Sequence, residues 1–473
     1  MLSDRSPEVA VFKHIPFAKP PVGARRWTYA EPADGWTSVR DATRFGPACM
    51  QKEYPKDSFF FRPSDPTSED CLHLNVWSTM PKDKKLPVMV WIHGGSLTRG
   101  SGVGTTYDGT ELAKKGVVLV TINYRLGVFG YLAHPGLTKE SGASGNYGTS
   151  DQIEALRWVK ANIAAFGGDP ENVTIFGESA GSWSVNHLVA SPKAAGLFHR
   201  AIGQSGGSFQ VLPHLKKGDR SGEQRGRQFQ EKLKKSSILE MRNLDASEIL
   251  KKADGQFHGG IVDGRFIPDQ LYRLFDIGQF NRVPVLLGYN AEEGTTMGAL
   301  QSLPKNSADY VDEMRQIFGK NAERILGLYP ASNYRDSYLR LSSDSGFGWN
   351  MHYWATHSAK HGVKTFMYYF THRPLGDELA AFHAAEIVFA FNNVQHIEMF
   401  DSPINRQLAE EISDYWVQFA SAGEPSLKSA VAWPTYAQTE KAYVELGTSG
   451  TTARVGLMNR KFELFESIYS KER

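Results

Sequence analysis

The feature that most restricts the fold is a junction. Val173-Thr174-Ile175-Phe176, a short β-branched and aromatic run, passes directly into Gly177-Glu178-Ser179-Ala180-Gly181, and a helix is predicted from Ala180 onward. A serine with glycines two before and two after it, between a strand and a helix, demands a sharp turn in which side chains at the glycine positions would crowd the backbone. Such a turn lifts the serine oxygen clear of the sheet. It also aims the positive end of the following helix at the place where an oxyanion would form. The competing reading is a serine in an ordinary strand-to-helix loop.

The surrounding pattern is that of an α/β chain. Leu86 to Ile92 and Gly116 to Asn123 read as buried strands, the first ending in a glycine turn. Ser150 to Phe166 has apolar residues at helical spacing, and Gly167-Gly168-Asp169-Pro170 stops it. Later, Pro284 to Gly288 and Thr365 to Phe370 read as strands, and Ala409 to Phe419 as a helix. Strands alternating with helices imply a parallel sheet covered on both faces. The lysine-rich stretch from Leu215 to Asp254 reads as solvated helices over the core.

Composition removes several classes of function. With 53 Lys+Arg against 51 Asp+Glu the net charge is +2, too small a surplus to make nucleic acid the main partner. No window holds 18 apolar residues, so no membrane span is expected. Two cysteines cannot build a disulfide scaffold or a four-cysteine zinc site; they leave one disulfide or two free thiols. Met1-Leu2-Ser3-Asp4-Arg5 has no apolar signal core, which fits a cytosolic protein or a chain whose signal has been removed.

Taken together, several motifs resemble one family. Phe166-Gly167-Gly168 followed by Val173 to Gly181 resembles the serine signature of the type-B carboxylesterase/lipase family, the cholinesterase-like α/β-hydrolases. Glu69-Asp70-Cys71-Leu72-His73-Leu74-Asn75-Val76-Trp77 is similar to that family's second signature, with His73 where an aromatic residue or threonine is usual. Ile15 to Gly23, Phe45 to Cys49, Asn123-Tyr124-Arg125, Gly145 to Gly148 and Asp414-Tyr415-Trp416 extend the likeness along nearly the whole chain. The resemblance implies an α/β-hydrolase fold, a mostly parallel central sheet flanked by helices. It implies one domain over 1–473, with pocket-forming helical insertions at roughly 206–283 and 296–360.

It also implies a set of roles. Ser179 is the nucleophile. Ala381-Phe382-His383-Ala384-Ala385-Glu386 resembles the catalytic-histidine segment, which selects His383 from the 14 histidines as general base. Asn290-Ala291-Glu292-Glu293-Gly294 resembles the acid turn, in which the carboxylate directly precedes glycine; that selects Glu293, although adjacent glutamates leave the register ambiguous by one. The order Ser, Glu, His is that of an α/β-hydrolase. His93-Gly94-Gly95-Ser96 resembles the oxyanion loop, which assigns the donors to the N–H groups of Gly95, Ser96 and Ala180. His93 and His187 are read as packing residues. Glu386 is read as a supporting or structural residue, and Ser205 as a hydrogen-bonding neighbour of the acid or a plain loop residue. Cys49 and Cys71 match the family's first disulfide.

The expected function is a serine carboxylesterase working through an acyl-enzyme, with no metal or organic cofactor. An interfacial lipase and a non-catalytic cholinesterase-like binding protein are the alternatives. The loop from Cys49 to Cys71 holds Phe59-Phe60-Phe61 and no tryptophan, which counts against a choline ester. Phe60 and Phe61 are candidate substrate contacts on the alcohol side, the other reading being that they pin the loop to the core. Arg99, with Lys52, Lys56 and Arg62, is a candidate basic rim to the pocket mouth that would favour esters bearing a carboxylate on the acyl group, the competing reading being scattered solvated charge. The partner is a small-molecule ester; monomer and homodimer both stay open. The expected disulfide points to a secreted or periplasmic protein, a cytoplasmic one being the other reading.

Overall fold

A computed structural model of the chain describes residues 1–56, 58–60, 66–257, 259–297, 302–427, 431–437 and 440–471. The chain divides into two compact units. The first comprises Met1–Ile202 and Leu212–Val283, the second Gly203–Val211 and Pro284–Arg473.

The first unit carries β1 (Ala10–Pro16), β2 (Ala48–Cys49), β3 (Thr67–Ser68), β4 (His73–Ser78), β5 (Leu86–Ile92), β6 (Val118–Ile122) and β7 (Gly168–Glu178). β8 (Arg200–Gln204) leads out of it. The main sheet runs β1–β4–β6–β5–β7–β8, and β2 pairs with β3 apart from it. β5 is parallel to both β6 and β7. All of β6 and all of β5 except Pro87 are buried, which is why both read as continuous apolar runs rather than alternating ones. β4 is antiparallel to β6 and to β1. These antiparallel strands are not evident in the strand signals, because β1 and β4 interleave lysine, histidine and asparagine with their apolar residues.

β7 is longer than the predicted strand. It reaches back through Pro170, but the register jumps: Leu86 pairs with Gly168 and Val88 with Val173. The intervening residues loop out of the ladder, so proline breaks no pairing. The helix predicted at 150–166 spans Tyr147–Asn162 and tightens into a 3-10 turn at Ile163–Phe166 before Gly167. In the basic stretch, helix Gly222–Leu233 buries Phe229 and Leu233 while Lys232 faces solvent. Cys49 and Cys71 form a disulfide. Beside it, Arg26 grips Glu69 with two hydrogen bonds of 2.6 and 2.5 Å.

The second unit carries β9 (Val285–Asn290), β10 (Thr365–Phe370), β11 (Tyr443–Gly447) and β12 (Gly450–Arg454), in that order. β9, β10 and β11 are parallel, and β12 closes an antiparallel hairpin. Every residue of β9 and β10 is buried. Helices Ser307–Phe318, Ala322–Leu328, Tyr334–Ser343 and Trp349–Lys360 lie between these two strands in sequence. The helix predicted at 409–419 is the middle of a longer one, Pro403–Ala422. Ser402 caps its start and Gly423, at φ 77°, ends it. Among the described residues no helix is long and apolar enough to cross a membrane.

Candidate active site

The turn after β7 has the geometry its glycines demand. Ser179 sits at φ 56° and ψ −124°, a conformation that costs a non-glycine residue about 1–3 kcal/mol and persists only where the surroundings impose it. Ser179 immediately precedes helix Ala180–Ala190 and is 6% exposed. The glycines are steric necessities. A Cβ on Gly181 would lie 2.0 Å from the Ile92 carbonyl oxygen, and one on Gly177 would lie 2.6 Å from the same atom. β5 and the turn therefore touch backbone to backbone.

β5 ends at Ile92, and His93-Gly94-Gly95-Ser96 follows directly. A Cβ on Gly94 would lie 3.1 Å from the Ser179 Cβ, so this loop passes against the serine. Gly95 is at φ 101°, and Ser96 and Leu97 are both at φ 56°. Three successive left-handed residues turn the chain sharply, and Thr98 and Arg99 both donate their N–H groups back to the Gly95 carbonyl at 3.0 Å. Among the described residues, the N–H groups of Gly95, Ser96 and Ala180 have no hydrogen-bond acceptor. His93 is buried, stacks on Tyr124 with ring centroids 4.5 Å apart, and meets the Gly94 carbonyl through Nδ1 at 2.8 Å. Burial pushes it down to about 4, and does the same to His187, so neither is poised as a base near neutrality.

In the second unit β9 runs into the turn Asn290-Ala291-Glu292-Glu293. Glu293 is fully buried. Its Oε1 accepts from the Asn290 N–H at 2.7 Å, and its Oε2 accepts from His383 Nδ1 at 2.5 Å. A carboxylate can only accept, so the proton sits on Nδ1 and the basic lone pair of the ring is the one on Nε2. The ambiguity between the two glutamates resolves as a division of labour. Glu293 holds the imidazole, and Glu292 holds the loop that carries it. The Glu292 N–H donates to the Ala381 carbonyl at 3.0 Å, and the Ala381 N–H donates back to Glu292 Oε2 at 3.1 Å. Asn290 Nδ2 donates to the Phe382 carbonyl at 2.8 Å. His383 lies between Ala380 at φ 53° and Ala384 at φ 71°, and the Phe347 ring stands 4.7 Å from its own.

Glu386, three residues further on, is also fully buried. It accepts from Asn290 Nδ2 at 2.6 Å and Gln204 Nε2 at 3.1 Å. Burial, and then the nearby Glu293 charge, push its carboxyl up to about 7. The Ser205 hydroxyl is buried and has no hydrogen-bond partner among the described residues.

The residues expected at the pocket mouth fare differently. Phe60 is half-buried and packs on Phe59 and Tyr54, at centroid distances of 5.5 and 6.0 Å. Phe61 and Arg62 lie outside the described residues. Lys52 is paired with Asp254 at 2.8 Å, and Lys56 is exposed. Arg99 lies 5.0 Å over the Tyr54 ring and has no carboxylate within ion-pair distance among the described residues. Sequence reasoning missed Tyr54. A Cβ on Gly95 would lie 3.3 Å from its hydroxyl, and the only hint was its place inside the Cys49–Cys71 loop. It also missed the clasp made by Asn290 and Glu292, although both stand in the motif that selected Glu293.

The strands, the strained serine turn and the glycine loop beside it are those of an α/β-hydrolase. A model of the carboxylesterase family matches residues 1–465, and the chain belongs to that family. It is 37% identical to a fumonisin B1 esterase of Sphingopyxis macrogoltabida, over 91% of this chain and 82% of that protein. It is 34% identical to a para-nitrobenzyl esterase of Bacillus subtilis, over 96% and 95%, and 33% identical to a liver carboxylesterase of Sus scrofa, over 98% and 89%. The protein is accordingly a carboxylic-ester hydrolase, acting on small-molecule esters.

Proposed function

We propose that hydrolysis runs through a Ser179–His383–Glu293 triad. The observation that carries this reading is the 2.5 Å bond between buried Glu293 and His383 Nδ1, which leaves Nε2 as the only basic atom of the ring. Ser179 Oγ attacks the ester carbonyl carbon as its proton passes to His383 Nε2. The carbonyl oxygen becomes the oxyanion held by the N–H groups of Gly95, Ser96 and Ala180. The C–O bond to the alcohol breaks, and the alcohol leaves with the His383 proton. Water then adds to the acyl-enzyme with His383 again taking a proton, and Ser179 is regenerated as the acid departs.

The proposal extends to the acyl group. Arg99, four residues past Gly95, has no carboxylate partner among the described residues, which supports a preference for esters whose acyl group bears a carboxylate. The whole of 1–473 is proposed to serve as one catalytic domain. The Cys49–Cys71 disulfide supports an oxidising, exported setting. Turnover of 4-nitrophenyl acetate by the wild type and by Ser179→Ala tests the catalytic reading: the variant should stay folded and lose activity.

A further inference from the structure

A cavity of about 170 Å3 lies in the first unit beside the glycine loop. Met50, Val128 and Leu250 give it apolar walls, and Lys52, Arg99 and Asp254 are its charged groups. That is room for several waters or a short carboxylate arm. The charges do not cancel. Lys52 and Asp254 neutralise each other through a bond whose side chains are 40% and 74% exposed, a pair of little energetic weight. Among the described residues Arg99 has an aromatic face and no carboxylate as its partner.

The cavity is also tied to the reaction centre. The Arg99 N–H donates to the Gly95 carbonyl at 3.0 Å, and a Cβ on Gly95 would lie 2.3 Å from the Arg99 carbonyl oxygen. The cavity wall is thus continuous with the loop assigned to the oxyanion, and that loop passes against Ser179. Gln51 fastens the far end of the loop, accepting from the Gly100 N–H and donating to the Gly100 carbonyl, both at 2.7 Å. Arg99 is therefore held at a fixed offset from the carbonyl to be attacked.

We infer that this cavity seats the far carboxylate of a half-ester of a short dicarboxylic acid. The planar guanidinium of Arg99 takes the carboxylate in a two-pronged bond. The methylene chain lies against Met50, Val128 and Leu250, and Lys52 can leave Asp254 for the incoming anion. This rests on the ester-hydrolase reading above for its consequence in catalysis, but the binding itself does not.

Two measurements separate the parts. The first compares mono(4-nitrophenyl) adipate with its terminal-amide twin, alongside half-esters of other chain lengths. The wild type should show kcat/KM at least ~10-fold higher for the acid, the factor expected of a hydrogen-bonded charge pair. Arg99→Gln should bring that ratio close to one, and Arg99→Lys should keep part of it. The second is thermal stabilisation by adipate against adipamide at constant ionic strength, which needs no turnover: adipate should raise the Tm of the wild type and not of Arg99→Gln. A ratio near one in the wild type, or an adipate effect unchanged in Arg99→Gln, would overturn the inference. A chain that binds adipate through Arg99 yet takes no fluorophosphonate label would uphold it and refute the catalytic reading instead.

Discussion

Glu293 Oε2 lies 2.5 Å from His383 Nδ1, and the two side chains are 0% and 4% exposed. A bond this short and dry sets the tautomer of the ring. Glu293→Gln keeps the shape but offers an amide that can donate, which favours the wrong tautomer. On the proposed mechanism kcat falls by ~10^4-fold with KM little changed. Steady-state kinetics on a neutral ester check this.

Glu292 acts at one remove. Its carboxylate takes the Ala381 N–H at 3.1 Å, and Arg373 and Arg340 stand 3.4 and 3.9 Å from it. Glu292→Ala leaves that N–H unpaired while the backbone bond from the residue 292 N–H to the Ala381 carbonyl stays, costing about 1–3 kcal/mol of stability. Because His383 then wanders, kcat should fall while covalent labelling of Ser179 still goes to completion, only more slowly. Full activity with normal stability would remove Glu292 from this role.

Glu386 gives a pH signature. Burial raises its carboxyl from 4.5 to about 7, with the Glu293 charge adding to the effect. Between those values the folded chain holds a proton that the unfolded chain has lost. The contribution to stability is therefore complete below about pH 4.5 and is lost as pH rises through about 7. Glu386→Gln abolishes this dependence. Denaturant melts across that window should show the variant gaining on the wild type as pH rises, by up to about 3 kcal/mol. A constant difference would contradict the assignment.

The Cys49–Cys71 bridge closes a loop with a sequence separation of 22. On chain-entropy grounds its loss costs about 3 kcal/mol. A Cys49→Ser, Cys71→Ser variant, or the wild type under reductant, should unfold at correspondingly lower denaturant. The loop also carries Tyr54 and Gln51, so ester turnover should weaken before the fold is lost.

How much of this was legible depended on what kind of constraint each residue obeys. Ser179 could be read directly, because a turn with backbone atoms 2.0 Å from an absent Cβ admits only glycine, and glycine leaves a mark in the sequence. The interior parallel strands could be read because burial on both faces makes them uniformly apolar. β1 and β4 could not, since they interleave polar residues with apolar ones, and neither could β11, interrupted by Glu445, nor β12, which has no apolar run. Glu293 and His383 needed the family likeness, as nothing in adjacent glutamates says which one points at an imidazole 90 positions away. The basic rim was read as four charges. The structure pairs Lys52 with Asp254, a contact across 202 positions, and gives Arg99 no carboxylate partner among the described residues.

The most direct test of the account is the site of covalent capture. A fluorophosphonate probe followed by peptide mapping should place a single label on Ser179, with 4-nitrophenyl acetate hydrolysis lost in step, and Ser179→Ala should take neither label nor substrate. A label on another residue, or hydrolysis retained by folded Ser179→Ala, would contradict the proposed triad.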